Sequence, residues 1–229
     1  MMAYQLDSLR VAGIKECTIV VGYLAESVRD CFGSNYRGVR ISYVENTTYE
    51  TSNNLCSLWQ AREAFDDDVL LLESDLVFDN RLICELIKKK EPDVAVVDRF
   101  RPGMDGSVIL ANGGVAKALL LKSEQPQGFD YSSALKTVNI YRLSSETLVE
   151  TILPGMEEFL AEGRTDQYYE AVFASLIRSN RMEMSVMETG KMQWSEIDTL
   201  DDLRETENML QAVTPEIRMD HPSGTALIG

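Results

Sequence analysis

Short apolar segments rich in β-branched residues alternate with amphipathic segments through the first part of the chain. A predicted strand precedes a predicted helix three times, at 17–21 and about 25–31, at 39–44 and 54–64, and at 69–72 and 80–90. Strands separated by helices in this way form mostly parallel sheets, and the helices cover both faces of the sheet. The alternation therefore predicts an α/β sandwich.

The pattern changes after a further predicted strand at 93–97. Glycine-rich turns then separate short apolar segments up to residue 141, which predicts a small antiparallel insertion. Predicted helices follow at 145–161 and 166–179, then a strand near 182–187 and a last helix that begins after Thr199 and runs to about 213. Thr199 and Asp202 have the spacing of a capping box, which places an acid in the first turn of that helix.

We therefore predict one domain over residues 1–213 and a flexible tail over 214–229. The chain begins almost directly with a predicted amphipathic helix at 4–14. Parallel βαβ units start with a strand, so the sheet is predicted to lack its first strand. An open sheet edge or an unpaired apolar surface is then expected.

Charge and composition exclude several functional classes. The 229 residues carry a formal charge of −15, which repels a nucleic-acid backbone, and no apolar segment is long enough to span a membrane. The one histidine, His221, argues against mechanisms that need a buried histidine base or several histidine ligands. The four cysteines form no CxxC pair and follow no secretory signal, so we expect a cytoplasmic protein with free thiols.

Acidic residues stand where an α/β sheet binds ligands, just after the carboxyl ends of its strands. Asp75 follows the most apolar predicted strand, and its carboxylate suits a hard cation. Glu196 and Asp198 project from one face if their segment is extended, and with Asp75 they can form one metal site. Alternatively, Asp75 only opens a turn, and Asp198 only flanks the last helix.

Other polar residues have two interpretations each. Asn53 and Asn54 precede an amphipathic helix, so they either cap it or read a nucleobase or ribose edge. Lys136 lies in an alternating strand and either extends to solvent or points into the crevice. Tyr169 belongs to an aromatic helix that suits the core, although Asp166 nearby also suits a cationic ligand.

Four segments carry a resemblance to a known family. VVGYLAE follows the first strand, SNNLCSLWQARE lies at the second crossover, LLLESDLVFD contains the third strand, and EIDTLDDLRETENML lies near the end. In this order and spacing, over about residues 3–213, the sequence resembles the phosphocholine and phosphonate cytidylyltransferases. The resemblance implies a Rossmann-like, nucleotidyltransferase-like fold, in which CTP reacts with a small phosphonate or phosphate ester and pyrophosphate is released.

The resemblance also implies roles for individual residues. Asp75, Glu196 and Asp198 match the carboxylates that bind Mg²⁺, and Asp75 thereby counts as catalytic. Asn53 and Asn54 match positions near the cytidine, and Lys136 matches a catalytic lysine that contacts the acceptor's phosphoryl oxygens.

The segments PGMDGS and DQYYE resemble the acceptor pocket of the phosphonate branch. Asp105 would pair there with an ammonium, beside Asp166 and Tyr169. Gly106 stands where the phosphocholine enzymes have an aromatic residue, which favours a smaller head group such as 2-aminoethylphosphonate over phosphocholine.

One departure from the family concerns the start of the chain. Family members begin with a strand and a glycine-rich loop bearing an arginine, followed by a lysine, and the resemblance here starts after them. Those groups offset charge in the transition state, so we expect activity to be impaired in this chain. The alternatives are a sugar-1-phosphate nucleotidyltransferase and a non-catalytic nucleotide-binding module, and the sequence leaves a homodimer open.

Overall fold

The computed structural model describes residues 1–211 and 225–228 of the chain. The α-helices within them are α1 (Met2–Val11), α2 (Ala25–Phe32), α3 (Asn54–Gln60), α4 (Arg81–Leu86), α5 (Ser145–Thr147), α6 (Leu153–Ala161), α7 (Tyr169–Arg178) and α8 (Leu200–Gln211). The strands are β1 (Glu16–Val21), β2 (Asn35–Tyr36), β3 (Val39–Glu45), β4 (Val69–Leu72), β5 (Leu76–Phe78), β6 (Val94–Arg99), β7 (Val108–Asn112), β8 (Val115–Leu120), β9 (Ala134–Leu143), β10 (Ser185–Glu188), β11 (Trp194–Glu196) and β12 (Thr225–Ile228).

Ten of these strands form one mixed sheet in the order β2-β3-β1-β12-β4-β9-β6-β10-β8-β7, and β9 also pairs with β7. The strands β3, β1, β12 and β4 are parallel neighbours. In contrast, β9 runs antiparallel to β4, β6 and β7. The predicted α/β class is therefore correct, but the antiparallel part is larger than a small insertion, because β9 enters the centre of the sheet.

Two apolar cores cover the two faces of this sheet, as a three-layer sandwich requires. Side chains of α1 and α4 pack on one face, and side chains of α3, α6 and α7 pack on the other. Successive residues of β4 alternate between the cores, so that Leu70 and Leu72 join the first and Val69 and Leu71 join the second. All four β4 side chains are buried, which explains why this strand is continuously apolar.

Strand β12 occupies the position where the sequence predicts a missing strand. Thr225–Ile228 pairs in parallel with Glu16–Ile19 of β1 on one side and with Val69–Leu72 of β4 on the other. Ala226, Leu227 and Ile228 are at most 1% exposed. The predicted opening in the sheet is therefore filled.

The prediction of a flexible tail over 214–229 is accordingly wrong for Thr225–Ile228. Four residues give too little periodicity to identify a strand, and the partners of this strand lie far away in the sequence. Residues 212–224 and 229, which contain the end of the predicted last helix and the rest of the predicted tail, lie outside the described residues.

Local signals in the sequence agree well with the helix boundaries. At the start of α8, the backbone N–H of Thr199 donates to Asp202 Oδ2 at 2.7 Å, and the backbone N–H of Asp202 donates to Thr199 Oγ1 at 3.2 Å. This reciprocal pair confirms the predicted capping box. Helix α4 ends at Leu86, earlier than the predicted residue 90. None of the described helices combines the length and apolarity needed to cross a membrane.

The burial of β12 can be tested with Leu227→Ala. This change removes a side chain that is 1% exposed in the core beside α3 and α7, so we expect a loss of about 2–5 kcal/mol in the free energy of unfolding. The matched control is Leu203→Ala on α8, where the leucine is 38% exposed and a change within about 0.5 kcal/mol is expected. Urea unfolding measures both, and equal stabilities would show that β12 is not docked in solution.

Candidate active site

The site lies at the carboxyl end of β4, where the chain turns from β4 into β5. Glu73 and Asp75 occupy this turn. Strand β11 pairs antiparallel with β5, with Glu196 opposite Leu76, and the backbone N–H of Ile197 donates to the Asp75 carbonyl at 3.0 Å. This pairing joins two acidic segments that are distant in the sequence.

Three carboxylates converge at this point. One oxygen each of Glu73, Asp75 and Glu196 lies within 4.8 Å of the others. Asp198 is exposed and lies outside this group, yet its negative charge contributes to the raised pKa values of Asp75 and Glu196. The structure thus brings the predicted ligands Asp75 and Glu196 together, adds Glu73 to them, and leaves Asp198 outside the group.

Glu73 is the most highly connected member of the cluster. Its Oε1 accepts hydrogen bonds from Asn54 Nδ2 at 3.1 Å and from the Tyr169 hydroxyl at 3.0 Å. Its Oε2 accepts from Asn139 Nδ2 at 2.8 Å. The side chain of Asn54 in turn accepts from the backbone N–H of Tyr169 at 2.9 Å. This network connects the starts of α3 and α7 to the end of β4.

Burial and mutual repulsion alter the protonation of these acids. Burial raises the pKa of Glu73 to about 8, and the charges of Glu170 and Asp75 add to the effect. Burial is also the main reason why the pKa values of Asp75 and Glu196 are raised. Carboxylates placed so closely repel one another, and a bound cation would relieve that repulsion.

Lys136 supplies a positive charge beside the acids. It is 2% exposed, and its Nζ donates to the Thr137 carbonyl at 2.8 Å and lies 3.7 Å from Glu196 Oε2. The Trp194 ring centroid is 5.9 Å from the same nitrogen. The lysine therefore points into the site, and the alternative that it extends to solvent is wrong.

The donor set fits a hard divalent cation. All the converging ligand atoms are carboxylate oxygens, the type that Mg²⁺ prefers. Asp75 Oδ1 is buried and has no hydrogen-bond partner in the described part of the chain, so it is free to accept a metal ion or a proton. Glu73, Asp75 and Glu196 are the residues that could hold the ion.

Three of the predicted substrate-binding residues lie outside the cluster. Asn53 caps α3, since its side chain accepts from the Asn54 backbone N–H at 2.8 Å, and its Nδ2 donates to the Asp166 carbonyl at 3.4 Å. Asp166 is exposed. Asp105 forms an ion pair with Lys122 at 2.5 Å, and this partner keeps the pKa of Asp105 below its ordinary value.

A small cavity adjoins the acidic cluster and connects it to β12. Asn54, Glu73 and Tyr169 are among the residues around it, together with apolar side chains from β1, α3, β4 and β12. Leu227 of β12 is one of these lining residues. Strand β12, which lies between β1 and β4 in the sheet, therefore also forms part of the cavity wall near Asn54, a residue predicted to lie near the cytidine.

Sequence reasoning missed two residues of the site. Glu73 directly follows β4 in the turn that also holds Asp75, so its position after a buried strand was a usable signal. Asn139 gave no local signal. It lies within a strand, where the sequence does not indicate the left-handed backbone, φ +58°, that directs its side chain into the site.

Comparisons with known proteins point to one group of enzymes. The chain is 33% identical over 207 residues to the CMP-5'-(3-aminopropyl)phosphonate synthase of Streptomyces rubellomurinus, which covers 90% of the chain and 33% of that protein. It is 26% identical over 147 residues to a bifunctional sugar-1-phosphate nucleotidylyltransferase/acetyltransferase of Sulfurisphaera tokodaii, over 64% of the chain and 33% of that protein. The chain thus spans about a third of the length of these curated relatives.

Comparison with solved structures shows that the fold of this chain is also that of a known nucleotidyltransferase. The CTP:phosphocholine cytidylyltransferase of Streptococcus pneumoniae matches with a TM-score of 0.71 at 21% identity, over 90% of this chain and 83% of that chain. At this identity the match concerns the fold alone. No model of a known protein family matches the sequence.

The raised pKa of Glu73 predicts a pH-dependent stability when divalent ions are removed. The folded state binds the proton more tightly than the unfolded state, so this contribution to stability is complete below the ordinary pKa of 4.5 and is lost as the pH rises through about 8. We expect Glu73→Gln, which cannot ionise, to make the decline between these pH values shallower. Urea unfolding in EDTA across this range measures the slope.

The matched control for that experiment is Glu63→Gln, because Glu63 is exposed. Its pH profile should parallel that of the unmodified chain. A Glu73→Gln profile that is as steep as the control would contradict the assignment of Glu73 as a buried acid with a raised pKa.

Proposed function

Since this chain belongs to the cytidylyltransferase-like nucleotidyltransferases, we propose that it transfers CMP from CTP to a small phosphonate or phosphate acceptor with release of pyrophosphate. One observation carries the proposal: Glu73, Asp75 and Glu196 converge beside the buried Lys136 at the carboxyl end of the central strands. This arrangement suits the binding of phosphates together with a divalent cation.

The proposed reaction is a direct displacement. An anionic oxygen of the acceptor forms a bond to the α-phosphorus of CTP, while the bond from that phosphorus to the pyrophosphate oxygen breaks and pyrophosphate takes the electron pair. The acceptor oxygen is already ionised, so neither a protein nucleophile nor a general base is needed. The protein contributes by positioning the reactants and by stabilising negative charge.

Lys136 is the proposed catalytic residue for the acceptor. Its ammonium attracts the phosphonate or phosphate oxygens and offsets the repulsion between two anions. Contact with the Thr137 carbonyl and with Glu196 restricts the direction of its ammonium group.

The acidic residues are proposed to hold Mg²⁺. Asp75 and Glu196 are the central ligands, Glu73 is a third, and Asp198 at the edge of the site is a further candidate. The ion, when bound, would supply positive charge to the phosphate oxygens and offset the negative charge of the acidic cluster, in a chain whose formal charge is −15.

The remaining predicted residues are proposed to select the substrates. Asn54 borders the small cavity and Asn53 lies next to it, so this side of the site is assigned to the nucleotide. Asp105, Asp166 and Tyr169 are assigned to the acceptor, with Asp105 facing the ammonium of an aminoalkylphosphonate, the class named for the relative in Streptomyces rubellomurinus. Within this class, 2-aminoethylphosphonate is the favoured acceptor, and phosphocholine is the next candidate.

A second candidate function is that of a sugar-1-phosphate nucleotidyltransferase. The relative in Sulfurisphaera tokodaii carries this activity in its name. The same acids and the same lysine would then serve a sugar phosphate as the acceptor, and the nucleotide would differ.

The reaction is tested by pyrophosphate release from CTP, UTP, GTP or dTTP with aminoalkylphosphonates, phosphocholine or sugar 1-phosphates. We expect CTP with an aminoalkylphosphonate to be the most active pair, and Asp75→Asn to lower kcat/KM by about 10²-fold or more. The control Asp66→Asn changes an exposed acid and should leave kcat/KM unaffected.

Other results would select another function. Turnover confined to a sugar 1-phosphate would favour the second candidate. A rise in Tm with CTP and Mg²⁺, without any product, would indicate a nucleotide-binding module that does not catalyse the reaction.

Gly106 gives a test of the acceptor side. A Cβ atom at this residue would lie 3.0 Å from Lys136 Nζ, so Gly106→Ala should displace the lysine and raise the KM for the acceptor by about 10-fold or more, with little change in the KM for CTP. Gly103→Ala is the matched control, because Gly103 has a similar φ of +93° against +100° for Gly106 but nothing within 4 Å of its would-be Cβ. Equal KM values for the two variants would contradict the role of Lys136.

A further inference from the structure

Strand β9 contains an irregularity beside the acidic cluster. Its pairing with β6 places Tyr141 opposite Ala95 and Thr137 opposite Val97, so β9 has more residues than β6 between the two pairs. Asn139 lies in this bulge with φ +58°, one of few residues other than glycine with a left-handed backbone in the described chain. Bulges of this kind redirect side chains, and a left-handed backbone persists where the surroundings stabilise it.

The bulge directs the Asn139 carboxamide into the acidic cluster. Its Nδ2 donates to Glu73 Oε2 at 2.8 Å and to Glu196 Oε1 at 3.3 Å. The backbone carbonyl of Asn139 accepts from the Glu73 backbone N–H at 3.4 Å. Asn139 therefore links the acid that follows β4 to the acid at the end of β11, although these strands belong to different sheets.

The chemistry of this link suits the separation of two like charges. When both are ionised, Glu73 and Glu196 repel each other, and an amide NH₂ between them offers two donors without adding charge. Asn139 is 7% exposed, and its Oδ1 is buried without a hydrogen-bond partner among the described residues. A buried oxygen without a hydrogen-bond partner costs free energy. The amide accepts this cost in the orientation seen because its Nδ2 then bonds to both carboxylates, so these two partners set its orientation.

We propose that Asn139 is a positioning residue that holds Glu73 and Glu196 in the geometry required for a divalent cation. The left-handed bulge aims the amide, and the amide fixes the spacing of the two carboxylates. The part that concerns the cation rests on the proposed function, whereas the link between the two acids stands on the hydrogen bonds alone.

The first test is the binding of Mn²⁺ alone, measured by calorimetry on the intact chain. Asn139→Gly removes the amide and tolerates the left-handed backbone. We expect it to weaken Mn²⁺ binding by about 10- to 100-fold, as is typical when a partner that orients a metal ligand is lost. The matched control is Asn180→Gly, because Asn180 has φ +55° but is exposed on the turn after α7.

The second test uses Asn139→Asp and its control Asn180→Asp, which keep the side-chain shape and add the same charge. In EDTA, Asn139→Asp replaces the two donors by a fourth carboxylate beside Glu73, Asp75 and Glu196. Its Tm should therefore fall below that of the unmodified chain and of Asn180→Asp. Mn²⁺ should raise the Tm of Asn139→Asp more than that of the unmodified chain, because the ion neutralises the added charge.

The outcomes separate this inference from the proposed function. Mn²⁺ binding by Asn139→Gly as tight as that by Asn180→Gly would overturn the positioning role. Equal Tm values in EDTA for Asn139→Asp and Asn180→Asp would overturn the link between the acids, and this comparison also decides if Asn139→Gly does not fold. An unmodified chain that binds no Mn²⁺ would refute the metal site of the proposed function, and it would overturn the cation part of this inference with it.

Discussion

The repulsion among three carboxylates at the end of β4 is the constraint on which the site depends. Burial removes these groups from water, so each is costly as an anion unless donors or a cation compensate it. The surrounding chain supplies the donors: Asn54, Tyr169 and Asn139 all bond to Glu73. On the opposite face of the sheet, the side chain of Gln5 in α1 donates to the backbone carbonyls of Glu73 and Leu76 at 2.8 and 2.9 Å. These two bonds fix the backbone of the turn between β4 and β5. Acidic residues can be concentrated here because the backbone around them is fixed from several sides.

The sheet explains why these particular residues meet. Parallel strands place their carboxyl ends at one edge, and the turn after β4 stands at this edge beside the ends of β1 and β12. Strand β9 crosses the centre in the opposite direction, so its bulge can bring Asn139 to the same place. The separate pairing of β11 with β5 then adds Glu196. Each contribution comes from a different part of the chain, and backbone hydrogen bonds bring the parts together.

The candidate site was predictable from the sequence to the extent that its signals were local. Asp75 stands out because it follows a fully apolar strand, and Glu196 because it shares an acidic segment with Asp198. Lys136 was ambiguous, since an alternating strand does not reveal which side chains meet the crevice and which meet solvent. Glu73 was overlooked although it lies two residues before Asp75. The position of Asn139 depends on a register shift between β9 and β6, which no local pattern encodes.

The sequence by itself determined the α/β class, most helix and strand positions and the capping box of α8. These features follow from the period of apolar residues and from contacts between near neighbours. Only the tertiary structure decided that Thr225–Ile228 forms a strand between β1 and β4, that the antiparallel β9 makes the sheet mixed, and that Glu73 lies beside Asp75 and Glu196. The physical reason is that strand pairing and charge clustering depend on residues far apart in the chain, whose approach is set by the packing of the whole domain and not by the residues beside them.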